Sequence, residues 1–184
     1  SEVFEKTTTN KIFQERRKEI ITKIESVPKN KAEKLDILKN KILSSNCNLK
    51  KLASNMVFAS GNTNSKIMII GEAPGSEEDR TGEPFVGPAG KLLDLMLASI
   101  QLNRKTNFYV TNMIFWRPPG NRTPNKEEIN LCLPFVKEHI EIIDPKFIIL
   151  LGNVAIKSLL CTNRSVTEMR KEKISYSTNY KNIK

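Results

Sequence analysis

Three polar segments of this chain each close a short apolar run, and each carries groups able to do chemistry. Gly71-Glu72-Ala73-Pro74-Gly75 follows Lys66-Ile67-Met68-Ile69-Ile70, and Glu77, Glu78, Asp79 and Glu83 come soon after. Thr111-Asn112 and Gly152-Asn153 close two further apolar runs. A carboxylate such as Glu72 or Glu78 can orient a water and tolerate a cationic centre. Backbone N–H groups across Gly71, Ala73 and Gly75 can hold a developing anion. The Asn112 amide offers one acceptor and two donors. Phe85 supplies an aromatic face inside a stretch rich in glycine and proline, and Arg117 and Arg122 flank Pro118-Pro119-Gly120 with positive charge suited to phosphates. Each also has a plainer reading: a solvated acidic loop, a core phenylalanine, a turn-forming asparagine.

These groups need a scaffold, and the pattern supplies one. The apolar runs over 66–71, 107–113 and 146–152 predict strands buried on both faces. Helices are predicted over 89–101, 126–143 and from 154 to 160. The alternation βαβαβ implies a three-layer α/β/α domain with a short parallel sheet and right-handed crossovers. All three polar segments then lie at carboxyl ends of strands, where open α/β sheets bind ligands. Ahead of this, Ile12, Phe13, Ile20, Ile21 and Ile24 recur at helical spacing up to Val27-Pro28, and Leu35, Ile37, Leu38 and Ile42 mark a second helix over 31–43. Residues 1–45 are therefore expected as an N-terminal helical hairpin, either solvated or touching nucleic acid, and 46–184 as the α/β domain.

With 184 residues, 39% hydrophobic and 27% charged, the chain suits one folded domain rather than a disordered segment. No apolar run approaches the roughly 20 residues of a membrane helix, and the charged start lacks the apolar centre of a secretion signal. Three cysteines do not form a disulfide framework. These features predict a cytoplasmic monomer. A net charge of +10 favours a polyanion, nucleic acid before an anionic membrane, although richness in Lys, Asn and Ile lends it a compositional origin too.

The segment from Gly71 to Gly90, GEAPGSEEDRTGEPFVGPAG, closely resembles the first motif of the family 4 uracil-DNA glycosylases. The resemblance runs on through Val110-Thr111-Asn112, Arg117-Pro118-Pro119-Gly120-Asn121-Arg122, Cys132 and Gly152, and covers roughly 47–170. It implies DNA base-excision repair, by hydrolysis of the N-glycosidic bond of uracil in DNA, on a base flipped out of the stack. By resemblance, Phe85 stacks on the uracil. Asn112 accepts from its N3–H and donates to its O4, Glu72 lies near the attacking water, and Glu78 lies near C5, where bulk rejects thymine. Gly71, Ala73, Pro74 and Gly75 belong to the uracil-binding turn, and Arg117, Pro118 and Arg122 to the DNA backbone contacts.

Two departures qualify this. The family's [4Fe–4S] cluster uses four cysteines, whose positions here read Ser44, Cys47, Trp116 and Cys132. Serine and tryptophan do not replace thiolates on iron, so the expectation is no cofactor, with Trp116 as an apolar plug and Cys47 and Cys132 as buried thiols. The family's second motif, His-Pro-Ser or similar after a fourth strand, has no counterpart before Lys184. Its histidine donates to uracil O2, whereas the single histidine here, His139, is read as a surface residue of the helix over 126–143. That leaves either a shortened chain or a degenerate member, and two functions: an enzyme, a uracil-DNA glycosylase with weakened or lost catalysis, or a uracil- or DNA-binding module without turnover. A nucleotide-binding α/β enzyme is disfavoured by the absence of G-x-G-x-x-G and of a P-loop.

Overall fold

The computed structural model describes residues 30–178 and 182–183. The first helix of the expected hairpin lies outside them. Its second helix is α1, Lys31–Ser44, started by Asn30, whose side chain accepts the Glu33 N–H at 3.0 Å.

The sheet has four strands: β1 (Ser60–Gly61), β2 (Ile67–Gly71), β3 (Phe108–Asn112) and β4 (Phe147–Leu150), in the order β1-β3-β2-β4. β2 runs parallel to both β3 and β4, as the apolar runs predicted. The two-residue β1, antiparallel to β3, is an addition, and it makes the sheet mixed. Each core strand is one to three residues shorter than its apolar run, and β4, unlike β2 and β3, is not buried on both faces: Phe147 and Ile149 are exposed. β4 stops earliest, where the chain turns at Gly152 with φ 94°.

Side chains alternate across the sheet and build a core on each face. Met68, Ile70 and Tyr109 point to the larger core, with Leu38 and Ile42 of α1, Val136 and Ile140 of α4 (Lys126–Ile143), and Ala155 and Leu159 of α5 (Asn153–Leu159). Ile69, Phe108 and Val110 point to the other, against Leu97 of α3 (Pro88–Ala98). This is the three-layer α/β/α arrangement. α2 (Ser76–Thr81) follows β2 and packs over the strand ends, and a short α6 (Val166–Met169) and the ribbon β5 (Tyr176–Ser177) and β6 (Asn182–Ile183) come last.

His139 is not a surface residue; none of it is exposed. It shares the face of α4 that carries Cys132, Val136, Ile140 and Ile143, and helical period overrides side-chain polarity there. Its ring stacks on Phe58 at 4.7 Å, and its Nε2 shares a 2.8 Å hydrogen bond with the Tyr109 hydroxyl. Burial lowers its pKa to about 3, so the imidazole is neutral.

Candidate active site

A cavity of about 370 Å³ opens at the carboxyl ends of β2 and β3. It is lined by Glu72, Ala73, Pro74, Gly75 and Glu78 from one side, by Phe85 and Asn112 at its base, and by Pro118 and Arg122 on the far rim. The sequence had named all of these. Gly71 lies beneath rather than in the lining, and Arg117 lies outside it.

The base of the cavity depends on the β2–β3 register, which pairs Gly71 with Asn112. The ladder continues past the strands: Met113 N–H donates to Gly71 O at 2.9 Å and Ile114 N–H to Glu72 O at 3.1 Å. A Cβ on Gly71 would lie 2.4 Å from Phe85 Cζ and 2.5 Å from Asn112 Oδ1. Only a residue without a side chain lets the ring and the amide meet over the strand end. Asn112 is 2% exposed, so its amide is held by packing on nearly every side.

Glu78 fastens the two loops that form the walls. One carboxylate oxygen accepts Val86 N–H at 3.0 Å and Gly87 N–H at 2.8 Å, while the other accepts Gly75 N–H at 3.1 Å. This corrects one expectation: the Gly75 N–H is spent on Glu78 and is not a donor to a ligand anion. Asp79 does similar work behind it, accepting Ser54 and Asn55 N–H at 2.8 and 3.1 Å. Glu72 is different. It is half-buried beside Gly152, whose added Cβ would come within 3.8 Å of its Oε2, and burial raises its pKa.

The arginines are organised by their own loop. Arg122 forms a bidentate pair with Glu128 at 2.6 and 2.9 Å, which raises the arginine pKa and lowers that of Glu128. Arg117 donates through Nε to Asn121 Oδ1 at 2.7 Å. Asn121 itself lines the cavity and was not singled out from the sequence. The signal was its place after Gly120: the two residues take left-handed φ values of 64° and 56° in succession.

Away from the cavity, Cys47, Trp116 and Cys132 are buried in the larger core, and Ser44 is exposed at the end of α1. Interaction between the two thiols draws Cys47 below the ordinary thiol range and, together with burial, pushes Cys132 above it.

The family profile described as the uracil DNA glycosylase superfamily matches residues 58–181. The chain belongs to this superfamily. The match takes in β1 to β4 and every residue that lines the cavity. Among its relatives are three proteins named type-4 uracil-DNA glycosylase. That of Archaeoglobus fulgidus is 46% identical over 124 residues, 67% of this chain and 62% of the relative. That of Pyrobaculum aerophilum is 44% identical over 114 residues, 62% of this chain and 58% of the relative. That of Sulfurisphaera tokodaii is 37% identical over 154 residues, 81% of this chain and 69% of the relative. The chain thus spans about six-tenths of the length of the first two.

Proposed function

We propose that this chain acts on uracil in DNA by hydrolysing the N-glycosidic bond of a flipped deoxyuridine. The observation that carries this is the meeting of the Phe85 ring and the Asn112 amide over the bare Gly71. A flipped pyrimidine needs an aromatic face and an edge reader in fixed relation. Phe85 stacks the base, largely regardless of its identity. Asn112 accepts from uracil N3–H and donates to O4, a pattern that cytosine does not match. Glu78 and the loops it ties form the wall at C5, where a thymine methyl would collide. As the glycosidic bond lengthens, positive charge grows on the sugar and negative charge on uracil. Glu72 orients the water that adds to the sugar carbon and stabilises that positive charge. The adding water gives up a proton to Glu72 and thence to solvent, while uracil leaves as the anion and takes a proton from solvent.

No histidine lines the cavity, and His139 is committed to Tyr109 and Phe58. Loss of one preorganised donor to a developing anion costs about 10²–10³ in rate, so a site without a donor at uracil O2 turns over slowly. A second reading, retention of uracil-DNA without turnover, uses the same ring and amide and needs no chemistry from Glu72. The cluster positions do not fit a [4Fe–4S] group: they offer two thiolates, and among the described residues no set of three or more His, Cys, Asp or Glu is arranged for a metal ion. We propose on that chemistry that no [4Fe–4S] cluster is held at these positions, and, from composition and charge, that the chain acts as a monomer in the cytoplasm. Among the described residues no helix is long and apolar enough to cross a membrane.

Single-turnover release of uracil from single-stranded DNA, with enzyme in excess, tests this. Slow release that disappears in Asn112→Ala supports excision. No release, with uracil-DNA still held more tightly than thymine-DNA, supports the binding module. No release and no preference removes both.

A further inference from the structure

What fixes Phe85 lies behind the cavity. Phe85 has φ 57°, a left-handed conformation that bulky residues adopt only where the surroundings hold them there. Two contacts do so. Gly90 of α3 packs so closely that an added Cβ would lie 2.0 Å from the Phe85 carbonyl oxygen. From the other side, the Arg104 guanidinium donates through Nη1 to Pro84 O at 2.7 Å and through Nη2 to Phe85 O at 2.8 Å. Asp94, also on α3, accepts from the same Nη2 at 3.1 and 3.0 Å. The Arg104 side chain is only 17% exposed. Its own loop is pinned as well: Asn103 N–H donates to Asn107 Oδ1 at 3.0 Å, and Thr106 N–H to Asn103 Oδ1 at 3.1 Å.

We propose that Arg104, held by Asp94, is a positioning residue that sets the Phe85 ring over the base-binding cavity. The inference deepens the reading of that cavity and rests on it for the nature of the base, but the placement of the ring stands by itself. Arginine is the residue type required. A planar fork spans two successive carbonyls and a carboxylate together, whereas a lysine ammonium is a point charge on a flexible stem. Arg104 does not line the base-binding cavity, so its effect on a base held there passes through Phe85.

Two measurements test it. The first places 4-fluorophenylalanine at position 85 and follows its ¹⁹F resonance in the unaltered chain, Arg104→Lys and the milder Asp94→Asn, with Tm recorded for each. A folded Arg104→Lys chain should show a shifted or broadened resonance, and Asp94→Asn a smaller change of the same sense. An unchanged resonance in folded Arg104→Lys overturns the proposal. The second is a double-mutant cycle on affinity for uracil-containing single-stranded DNA. Arg104→Lys should weaken binding at least about fivefold when Phe85 is present, the low end of what stacking one base contributes. In a Phe85→Ala background it should change binding less than about twofold. Equal losses in both backgrounds would mean a general structural role and would also overturn it. A moved resonance in a chain that binds uracil-DNA and thymine-DNA alike would keep Arg104 as the positioner of Phe85 and remove uracil as the base.

Discussion

Gly71→Ala isolates the geometry on which the site depends. Gly71 ends β2 outside the left-handed region, so alanine meets no backbone strain there. The effect comes from one carbon. That Cβ would lie 2.4 Å from Phe85 Cζ and 2.5 Å from Asn112 Oδ1, where ordinary contact begins near 3.4 Å. Ring and amide must each recede by about an ångström, a displacement that costs on the order of 10²-fold in rate when it separates groups from a reacting substrate. Neither can recede with its backbone. Phe85 is wedged between Gly90 and Arg104, and Asn112 is paired with Gly71 in the sheet. The side chains must turn instead, and they turn away from the base. Single-turnover uracil release should therefore fall by about two orders of magnitude, with Tm lowered by only a few degrees. Affinity for uracil-DNA gives the same test if chemistry is too slow to follow. A folded Gly71→Ala chain that keeps release within threefold would refute the idea that ring and amide act as one fixed pair.

Three further outcomes follow from the same structure. Burial raises the Glu72 pKa, so release should decline as pH falls through a value above the ordinary carboxylate range, and this acid limb should vanish in Glu72→Gln; a limb that persists there assigns it elsewhere. His139 is neutral in the fold down to about pH 3, while in the unfolded chain it takes up a proton below about 6.5; the unfolded state then binds more protons, and stability should drop by up to about 1.4 kcal/mol per pH unit across that window. Denaturant titrations of the unaltered chain and His139→Phe at pH 7, 5 and 4 check this, and equal pH slopes in the two would exclude His139 as the cause. The net charge of +10 should make affinity for single-stranded DNA fall linearly in log–log form as salt rises; affinity flat between about 50 and about 200 mM would leave the charge without a role in binding.

The scaffold was legible because apolar runs leave a plain trace, although burial on both faces holds for β2 and β3 and not for β4, whose Phe147 and Ile149 are exposed. The runs around Met68 and Ile149 contain almost nothing polar, that around Val110 is polar only toward its ends, and such runs separated by amphipathic helices have few ways to pack. The bounds of α4, 126–143, followed from period alone. What stayed hidden depended on distant pairings. β1 is two residues held by the register to Val110 and Tyr109, too short to leave a pattern. His139 was read by its polarity when its position on the helix decided its fate. Arg104 lies 19 residues from the carbonyl of Phe85 that it holds, and one basic residue among 30 carries no mark of that task.

The acidic run after β2 shows best how structure sorts residues that composition leaves equal. Read in sequence, Glu72, Glu77, Glu78 and Asp79 are four carboxylates in eight positions, any of which could face a substrate. Folding assigns three of them elsewhere. Glu77 pairs with Arg80 on the surface at 2.8 Å, and the pairing lowers its pKa. Glu78 is saturated by three backbone N–H groups, and Asp79 holds two more from the segment before β1. Each of these carboxylates is committed to donors of the protein itself, which suits a brace and not a group that must meet water and a growing positive charge. Glu72 has no such partner among the described residues; burial raises its pKa, opposite in direction to Glu77, and it lines the cavity just past the end of β2. A half-buried carboxylate raised in this way gains most when a positive charge appears beside it. In the proposed reaction, cleavage of a glycosidic bond supplies that charge on the sugar, and on that proposal the chemistry falls to Glu72, with Glu78 and Asp79 holding the walls around it.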